Sequence, residues 1–475
     1  MPEVSTQVAV IGAGPGGYAA AFYAADRGMQ VTLIDPGENP GGVCLYRGCI
    51  PSKALLHVAE VINEAKHAGD WGVSFGAPSI DVAKLRAFKD KVVNQLTGGL
   101  GQLSKQRKVT YIRGTASFRD PRSLEIRAEG GSTTNLRFEH AIVATGSRPA
   151  AIPGLSIDSP RVMDSTAALD LPDVPKSLLV VGGGYIGLEL GSVYAALGSR
   201  VTVVEMTEGL LPGADRDLVN VLAKRVEQTS EAVLLNTKVV GMKDAKNGVT
   251  VTFDGEGLGD AGRERTFDRV LVSIGRRPNS AVPGLDRTRV KVNQRGFIEV
   301  NERRATAEPT IYAIGDVVGE PMLAHKASHE ARVAVDAIAG ERVAFEPNAI
   351  PAVVFTDPEI AWCGLTETEA KNQKRNIAVA RFPWGASGRA LTLDRSDGVT
   401  KLILDPNSSR VLGVGIVGPG AGELISEGVL AVEMGANAED LRLSIHPHPT
   451  LSETIMEAAE VFFGQATHVY RPKRA

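Results

Sequence analysis

Cys44 and Cys49 are separated by four residues in Gly42-Val43-Cys44-Leu45-Tyr46-Arg47-Gly48-Cys49-Ile50-Pro51-Ser52-Lys53, and only Cys363 joins them in a chain of 475 residues. A chain so poor in cysteine does not use disulfides as a structural framework. A close pair beside a nucleotide-binding turn points instead to a disulfide made and broken in each turnover. The competing readings are inert core thiols or half of a zinc site. Zinc needs two further ligands at suitable spacing, and no second Cys/His pair follows, so no metal is expected. A second candidate group lies near the other end, in His446-Pro447-His448-Pro449-Thr450-Leu451-Ser452-Glu453, where His446 could be taken for the base as well as His448. Prolines on both sides stiffen the backbone at His448. A carboxylate at Glu453 that orients the imidazole suits it to take a thiol proton near neutral pH. A histidine in such a segment is otherwise structural.

These groups need elements to hold them. Val8-Ala9-Val10-Ile11 reads as a strand, with a turn carrying Gly12, Gly14 and Gly17, a small-residue helix from Tyr18 to Arg27, and a second strand ending at Asp35. Strand, glycine turn, helix, strand and terminal acid in that order form a complete dinucleotide fingerprint. The glycines permit the tight turn and let a pyrophosphate approach the helix N-terminus; the acid accepts hydrogen bonds from a ribose. The pattern returns at Ser177–Val181, with Gly182, Gly184 and Gly187 in the turn, Tyr185 and Glu189 on the helix, and Glu205 closing the next strand. Two intact copies favour two dinucleotides over one ligand and a dead duplicate. A carboxylate at Glu205 welcomes a ribose 2′-hydroxyl and repels a 2′-phosphate, so NAD is favoured over NADP. Glu205 is otherwise a solvated acid at a strand end.

Between the copies, Ala144-Thr145-Gly146-Ser147-Arg148-Pro149 leads into a crossing with Pro153, Pro160, Pro172 and Pro175, and Ser273-Ile274-Gly275-Arg276-Arg277-Pro278-Asn279 reads as the return. Thr310–Asp316 is a strand ending in Gly-Asp, and a helix starts near Met322 and runs towards Ala339. The first domain is therefore expected to be interrupted by the second and then resumed: 1–149, 150–279 as the insert, 280–346, and a differently textured region from 347 to 475. The expected fold class is α/β, with two Rossmann-like domains, one inserted in the other, and a C-terminal α+β domain.

Net charge is −3, with 43% hydrophobic and 23% charged residues. This is ordinary globular composition, and it offers no bulk electrostatic attraction for nucleic acid or membrane. The basic ending Arg471-Pro472-Lys473-Arg474 reads as a solvated tail. No signal-like segment precedes the first strand and no apolar run is long enough to span a bilayer, so the expected location is the cytoplasm.

Taken together, the first turn, Gly42 through Lys53, Ala144-Thr145-Gly146, the second turn, Ile314-Gly315-Asp316 and His446 through Glu453 resemble the FAD-dependent pyridine nucleotide–disulfide oxidoreductases over nearly the whole chain. Within that family the resemblance is to the branch that oxidises dihydrolipoyl groups. It implies FAD in the first domain, with Asp35 on the adenosine ribose and Asp316 near the ribityl chain, and NAD in the second. It implies that Cys44 exchanges with substrate while Cys49, opening a helix, lies against the flavin. A helix N-terminus favours a thiolate by ~0.3–1 kcal/mol. It pairs Lys53 with Glu189 unless both are ordinary surface charges. Tyr185 is either an aromatic gate over the nicotinamide pocket or helix packing. His325, in Met322-Leu323-Ala324-His325, is expected near the flavin through its helix-start backbone. His448 is implied to act on the other subunit's disulfide, hence a C2 homodimer. The implied partner is a lipoylated carrier protein or lipoyl domain. Relatives of this branch commonly carry Asn-Val where this chain has Tyr46-Arg47.

Competing activities fit less well. A glutathione reductase would show basic residues after Glu205, where Met206-Thr207-Glu208 stand. A mercuric reductase would end in a cysteine pair, and a soluble transhydrogenase would lack Cys44. Another dithiol substrate, a lipoyl carrier outside the 2-oxoacid complexes, and a flavoprotein used as a scaffold subunit are the remaining alternatives.

Overall fold

The computed structural model describes residues 3–151, 155 and 157–470. Pro153 and the basic segment from Arg471 lie outside them. The first sheet has a parallel core in which Val31–Asp35 and Thr133–Val143 flank Glu3–Ile11, Thr110–Arg113 lies beyond Val31–Asp35, and Ile311–Ala313 pairs with the end of Thr133–Val143. Val8, Ala9 and Val10 are all fully buried, as expected of a strand covered on both faces. The helix Pro15–Asp26 packs on this sheet beside Ala324–Ile338. The register Ile311↔Ala141 to Ala313↔Val143 carries the chain back into the first sheet after the insert.

The second sheet repeats the scheme. Its order is Ala232–Leu234, Arg200–Val204, Ser177–Val181, Arg269–Val272 and Val162–Met163, all parallel. Each Rossmann sheet is accompanied by antiparallel strands, Thr115–Asp120 with Ser123–Arg127 in the first half and Thr237–Ala245 with Gly248–Gly255 and Glu264–Phe267 in the second. The two crossings between the halves run side by side: Ser147–Pro149 pairs antiparallel with Arg276–Pro278. Thr145 Oγ1 donates to the Asn279 carbonyl at 2.8 Å and Asn279 Nδ2 returns a bond to the Thr145 carbonyl at 3.0 Å.

The C-terminal part is a five-stranded antiparallel sheet ordered Ala352–Val354, Ile360–Gly364, Val411–Val417, Val399–Leu404 and Ala378–Pro383. The helices Ala421–Met434 and Glu453–Phe463 cover it, and Cys363 is buried in its core. A charge cluster ties this domain to the second one. Lys401 is 1% exposed, and its ammonium sits 2.7–2.8 Å from Asp215, Asp217 and Glu367. That ammonium occupies the centre of the acidic group where a cation would otherwise bind. Among the described residues, no helix is long and apolar enough to cross a membrane.

Candidate active site

The two glycine turns match in backbone geometry. Gly12 and Gly182 have φ of +98° and +106°, and a side chain on either would drive into a backbone carbonyl, Ala144 at 2.4 Å or Ser273 at 2.6 Å. Gly17 and Gly187 lie under their own turns, where a Cβ would meet the carbonyls of Gly12 and Gly182 at 1.8 and 2.3 Å. Gly14 and Gly184 cap the helices that follow. Around Gly184 nothing would crowd a Cβ, so the outer face of that turn is open for a phosphate. The strand-end acids match too. Asp35 accepts the Ala13 and Gly37 amides, both at 2.8 Å, and Glu205 accepts the Gly183 and Thr207 amides, both at 2.8 Å. Each carboxylate thus clamps its own turn while keeping lone pairs for a ligand.

A cavity of about 520 Å³ extends from the first turn and Asp35 to Cys44, Cys49 and Lys53, and on to Tyr185 and Glu189 on the second domain's first helix. Thr145, Gly146, Asp316, Met322 and Ala324 also line it. Leu323 caps the helix Ala324–Ile338. The His325 ring turns away, its Nε2 donating to the Pro351 carbonyl at 2.8 Å; burial lowers its pKa. Gly275 takes φ +115° in the return crossing and is not on the cavity wall. Asp316 accepts the Ser147 hydroxyl, which in turn accepts Arg276 Nε at 2.7 Å. An elongated cradle running from a glycine turn, past a strand-end acid, to a thiol pair fits a dinucleotide such as FAD with its redox ring beside the thiols.

Cys44 sits in a short helix, Gly42–Arg47, and Cys49 is the first residue of the long helix Cys49–His67. Gly48 breaks the two apart; a side chain there would meet the Val43 carbonyl at 2.9 Å. The two thiols are free and hydrogen-bonded. The bond from Cys44, together with the Lys53 ammonium, brings the Cys49 thiol down to about 7 against the opposing effect of burial. Cys44, the donor, is pushed far up by that bond and by burial. The electrostatics therefore select Cys49 as the thiolate. Lys53 Nζ lies 2.8 Å from Glu189 Oε2. Glu189 is buried, and it also accepts Ser52 Oγ at 3.1 Å and the Phe355 amide at 3.0 Å. The roles of Ser52 and Phe355 were missed in the sequence: Ser52 lies inside the cysteine segment with no sign of a distant acid, and Phe355 belongs to no spacing pattern. Tyr46 spends its hydroxyl on the Asn39 backbone, and Arg47 lies exposed on the cavity wall.

His448 is not on this wall. Its ring is 73% exposed, and Nδ1 donates to Glu453 Oε1 at 2.9 Å, leaving Nε2 as the free acceptor. Glu453 also accepts the Thr450 amide at 2.8 Å. Burial would raise this carboxyl, but the Thr450 amide and the His448 ring outweigh it and hold it low. His446 is engaged with Glu427 at 2.8 Å, which separates the two histidines that the sequence leaves adjacent. In the same domain Met434, Leu443 and Ile445 are 76, 66 and 99% exposed.

The fold and the thiol pair beside a dinucleotide cradle define a flavoprotein disulfide oxidoreductase. Residues 6–331 match the family model described as pyridine nucleotide-disulphide oxidoreductase, and residues 350–459 match the family's dimerisation domain. The chain belongs to the pyridine nucleotide-disulphide oxidoreductase family, and its cofactors are FAD and NAD. It is 49% identical to a dihydrolipoyl dehydrogenase of Haemophilus influenzae over 99% of this chain and 98% of the relative. Identity to the dihydrolipoyl dehydrogenase of Geobacillus stearothermophilus is 44%, over 98% of each. Among solved structures, LpdA from Mycobacterium tuberculosis is similar at TM-score 0.88 and 28% identity, covering 96% of this chain and 99% of that one. The HOCl-induced flavoprotein disulfide reductase RclA from Escherichia coli, as its Cu(II) complex, is similar at TM-score 0.85 and 28% identity, covering 98% and 99%.

Proposed function

We propose that this chain oxidises a dihydrolipoyl group on a carrier protein to lipoyl and passes the electron pair to NAD, as a cytoplasmic C2 homodimer. The observation that carries the reading is the thiol pair Cys44 and Cys49 on the wall of the dinucleotide cradle beside the Lys53–Glu189 pair, in a chain similar to dihydrolipoyl dehydrogenases throughout its length. The exposed apolar side chains Met434, Leu443 and Ile445 support a second copy covering them. A reducing compartment suits a cycling disulfide. The domain division at 1–149, 150–279, 280–346 and 347–475 belongs to the same reading, supported by the paired crossings and the return strand.

In the oxidised enzyme Cys44 and Cys49 form a disulfide. His448 of the partner subunit takes the proton from one substrate thiol through Nε2, and Glu453 of the partner subunit steadies the imidazolium. The substrate thiolate attacks Cys44 Sγ, the Cys44–Cys49 bond breaks, and Cys49 leaves as the thiolate that Lys53 stabilises. The second substrate thiol displaces Cys44, releasing the lipoyl disulfide, and Cys44 takes up the proton. Bound FAD and NAD supply the acceptors for the electron pair, the second as a hydride acceptor. Asp35, Asp316, Thr145, Gly146 and the start of the helix Ala324–Ile338 would hold FAD. Gly182, Gly184, Gly187, Glu205 and Gly275 would hold NAD, with Tyr185 at the junction. The test is NAD-linked turnover of free dihydrolipoamide and of purified lipoylated carriers. No turnover with any of them would refute the substrate assignment.

A further inference from the structure

We infer that Phe355, on the C-terminal domain, is a positioning residue that holds the Lys53 ammonium in place beside Cys49. This rests on the reading of Cys49 as the reactive thiolate, and not on the identity of the dithiol substrate.

Three separated stretches of chain meet here: Lys53 on the helix that begins with Cys49, Glu189 on the second domain's first helix, and Phe355 just after the strand Ala352–Val354. Phe355 acts twice. Its amide donates to Glu189 Oε1 at 3.0 Å, fixing the carboxylate whose other oxygen takes Lys53. Its ring lies with the Lys53 ammonium 4.2 Å from its centroid, within the range where an aromatic face attracts a cation. Gly422 borders the ring: a Cβ there would lie 3.5 Å from Phe355 Cε1, an ordinary van der Waals distance. Phe355 is absent from the wall of the cavity, so it acts only through Lys53 and Glu189.

The ammonium is partly exposed. An aromatic face on one side and a carboxylate on the other restrict it to one place and shield part of it from water. Without the ring, the ammonium gains freedom and hydration, and its field at the Cys49 sulfur is screened. The Cys49 thiolate then binds its proton more tightly.

The test uses full-length holoenzyme on a Cys44→Ser background, which leaves Cys49 as the one thiol of the pair. Two readouts follow the thiolate across pH: its long-wavelength absorbance against the bound flavin, and the rate of iodoacetamide modification at Cys49 read by peptide mass. Phe355→Leu retains the backbone amide and removes the aromatic face. It is expected to raise proton affinity at Cys49 by about threefold or more, the scale of a partly exposed cation–π contact. Phe355→Tyr, which keeps the face, is expected to restore the parent midpoint. If Phe355→Leu does not give a folded dimer, Phe355→Met replaces it with similar bulk and no aromatic face. A midpoint unchanged in a folded Leu or Met variant overturns the inference, as does a Tyr variant that shifts as far as the Leu variant. Failure of the lipoyl assignment leaves this titration unaffected, so the two failures are distinguishable.

Discussion

Asp35 and Glu205, far apart in the chain, do the same job in the two halves of the molecule: each carboxylate locks the second residue of its glycine turn and the residue two places beyond itself. An acid at this position is therefore the clasp of the turn, whatever else it holds.

Coenzyme choice follows from that position. With Glu205 in place and no arginine among Met206 to Leu211, kcat/KM for NAD is expected to exceed that for NADP by at least about 100-fold. Parity between the coenzymes would contradict the role given to Glu205. Glu205→Ala is expected to weaken NAD use without improving NADP use, because the turn loses two amide acceptors.

The reduced enzyme is expected to show a long-wavelength absorbance from the Cys49 thiolate to the flavin, growing with rising pH through a midpoint at about 7. The sign follows from the thiolate being the donor: below the midpoint the sulfur is protonated and the band fades. Cys49→Ser is expected to abolish it, and an absorbance titration of the two proteins decides the matter.

His448→Gln is expected to lower dithiol turnover by roughly 10²–10⁴, while reduction of the flavin by NADH persists. Mixed with Cys49→Ser under conditions that exchange subunits, it should regain activity. Random pairing makes half the dimers mixed, each with one complete site, so about a quarter of wild-type activity is expected. Exchange verified by mass with no recovery would place the base within its own subunit.

Lys401→Met removes a buried ammonium from three carboxylates and is expected to cost about 3–5 kcal/mol. Asp215 and Asp217 titrate below their ordinary values: burial pushes them up, but the bonds from Lys401 and their other donors prevail. A depressed carboxyl contributes stability above its unfolded pKa and loses it as pH falls through the folded one. The gap in denaturation midpoint between Lys401→Met and wild type should therefore narrow from pH 6 towards pH 3.

The parts legible in the sequence were those written as local patterns. Strand, glycine turn and acid occur within about thirty residues, and the structure forms the first helix at Pro15–Asp26 where the spacing places it over Tyr18–Arg27. The helix expected from Met322 to Ala339 forms at Ala324–Ile338. What stayed hidden depends on distant meetings. Ser52 and Phe355 converge on Glu189 from 137 and 166 positions away, and the Lys401 cluster joins residues separated by up to 186. Nothing near Phe355 or Lys401 in the chain announces a charged partner. The helical turn that carries Cys44 was hidden for a different reason: six residues between two glycines are too short for a periodic signal.

The ribbon formed by Ser147–Pro149 and Arg276–Pro278 places the way in and the way out of the inserted half on adjacent strands, in register and cross-tied by Thr145 and Asn279. An insert anchored at one doorway can lengthen, shorten or be exchanged without disturbing the sheet that hosts it. The half that carries Glu205 is thus topologically a cassette. Transplanting it whole from a relative of opposite coenzyme preference means cutting the chain at that ribbon while keeping the contacts of Glu189 with Lys53 and Phe355 and of Asp215 and Asp217 with Lys401.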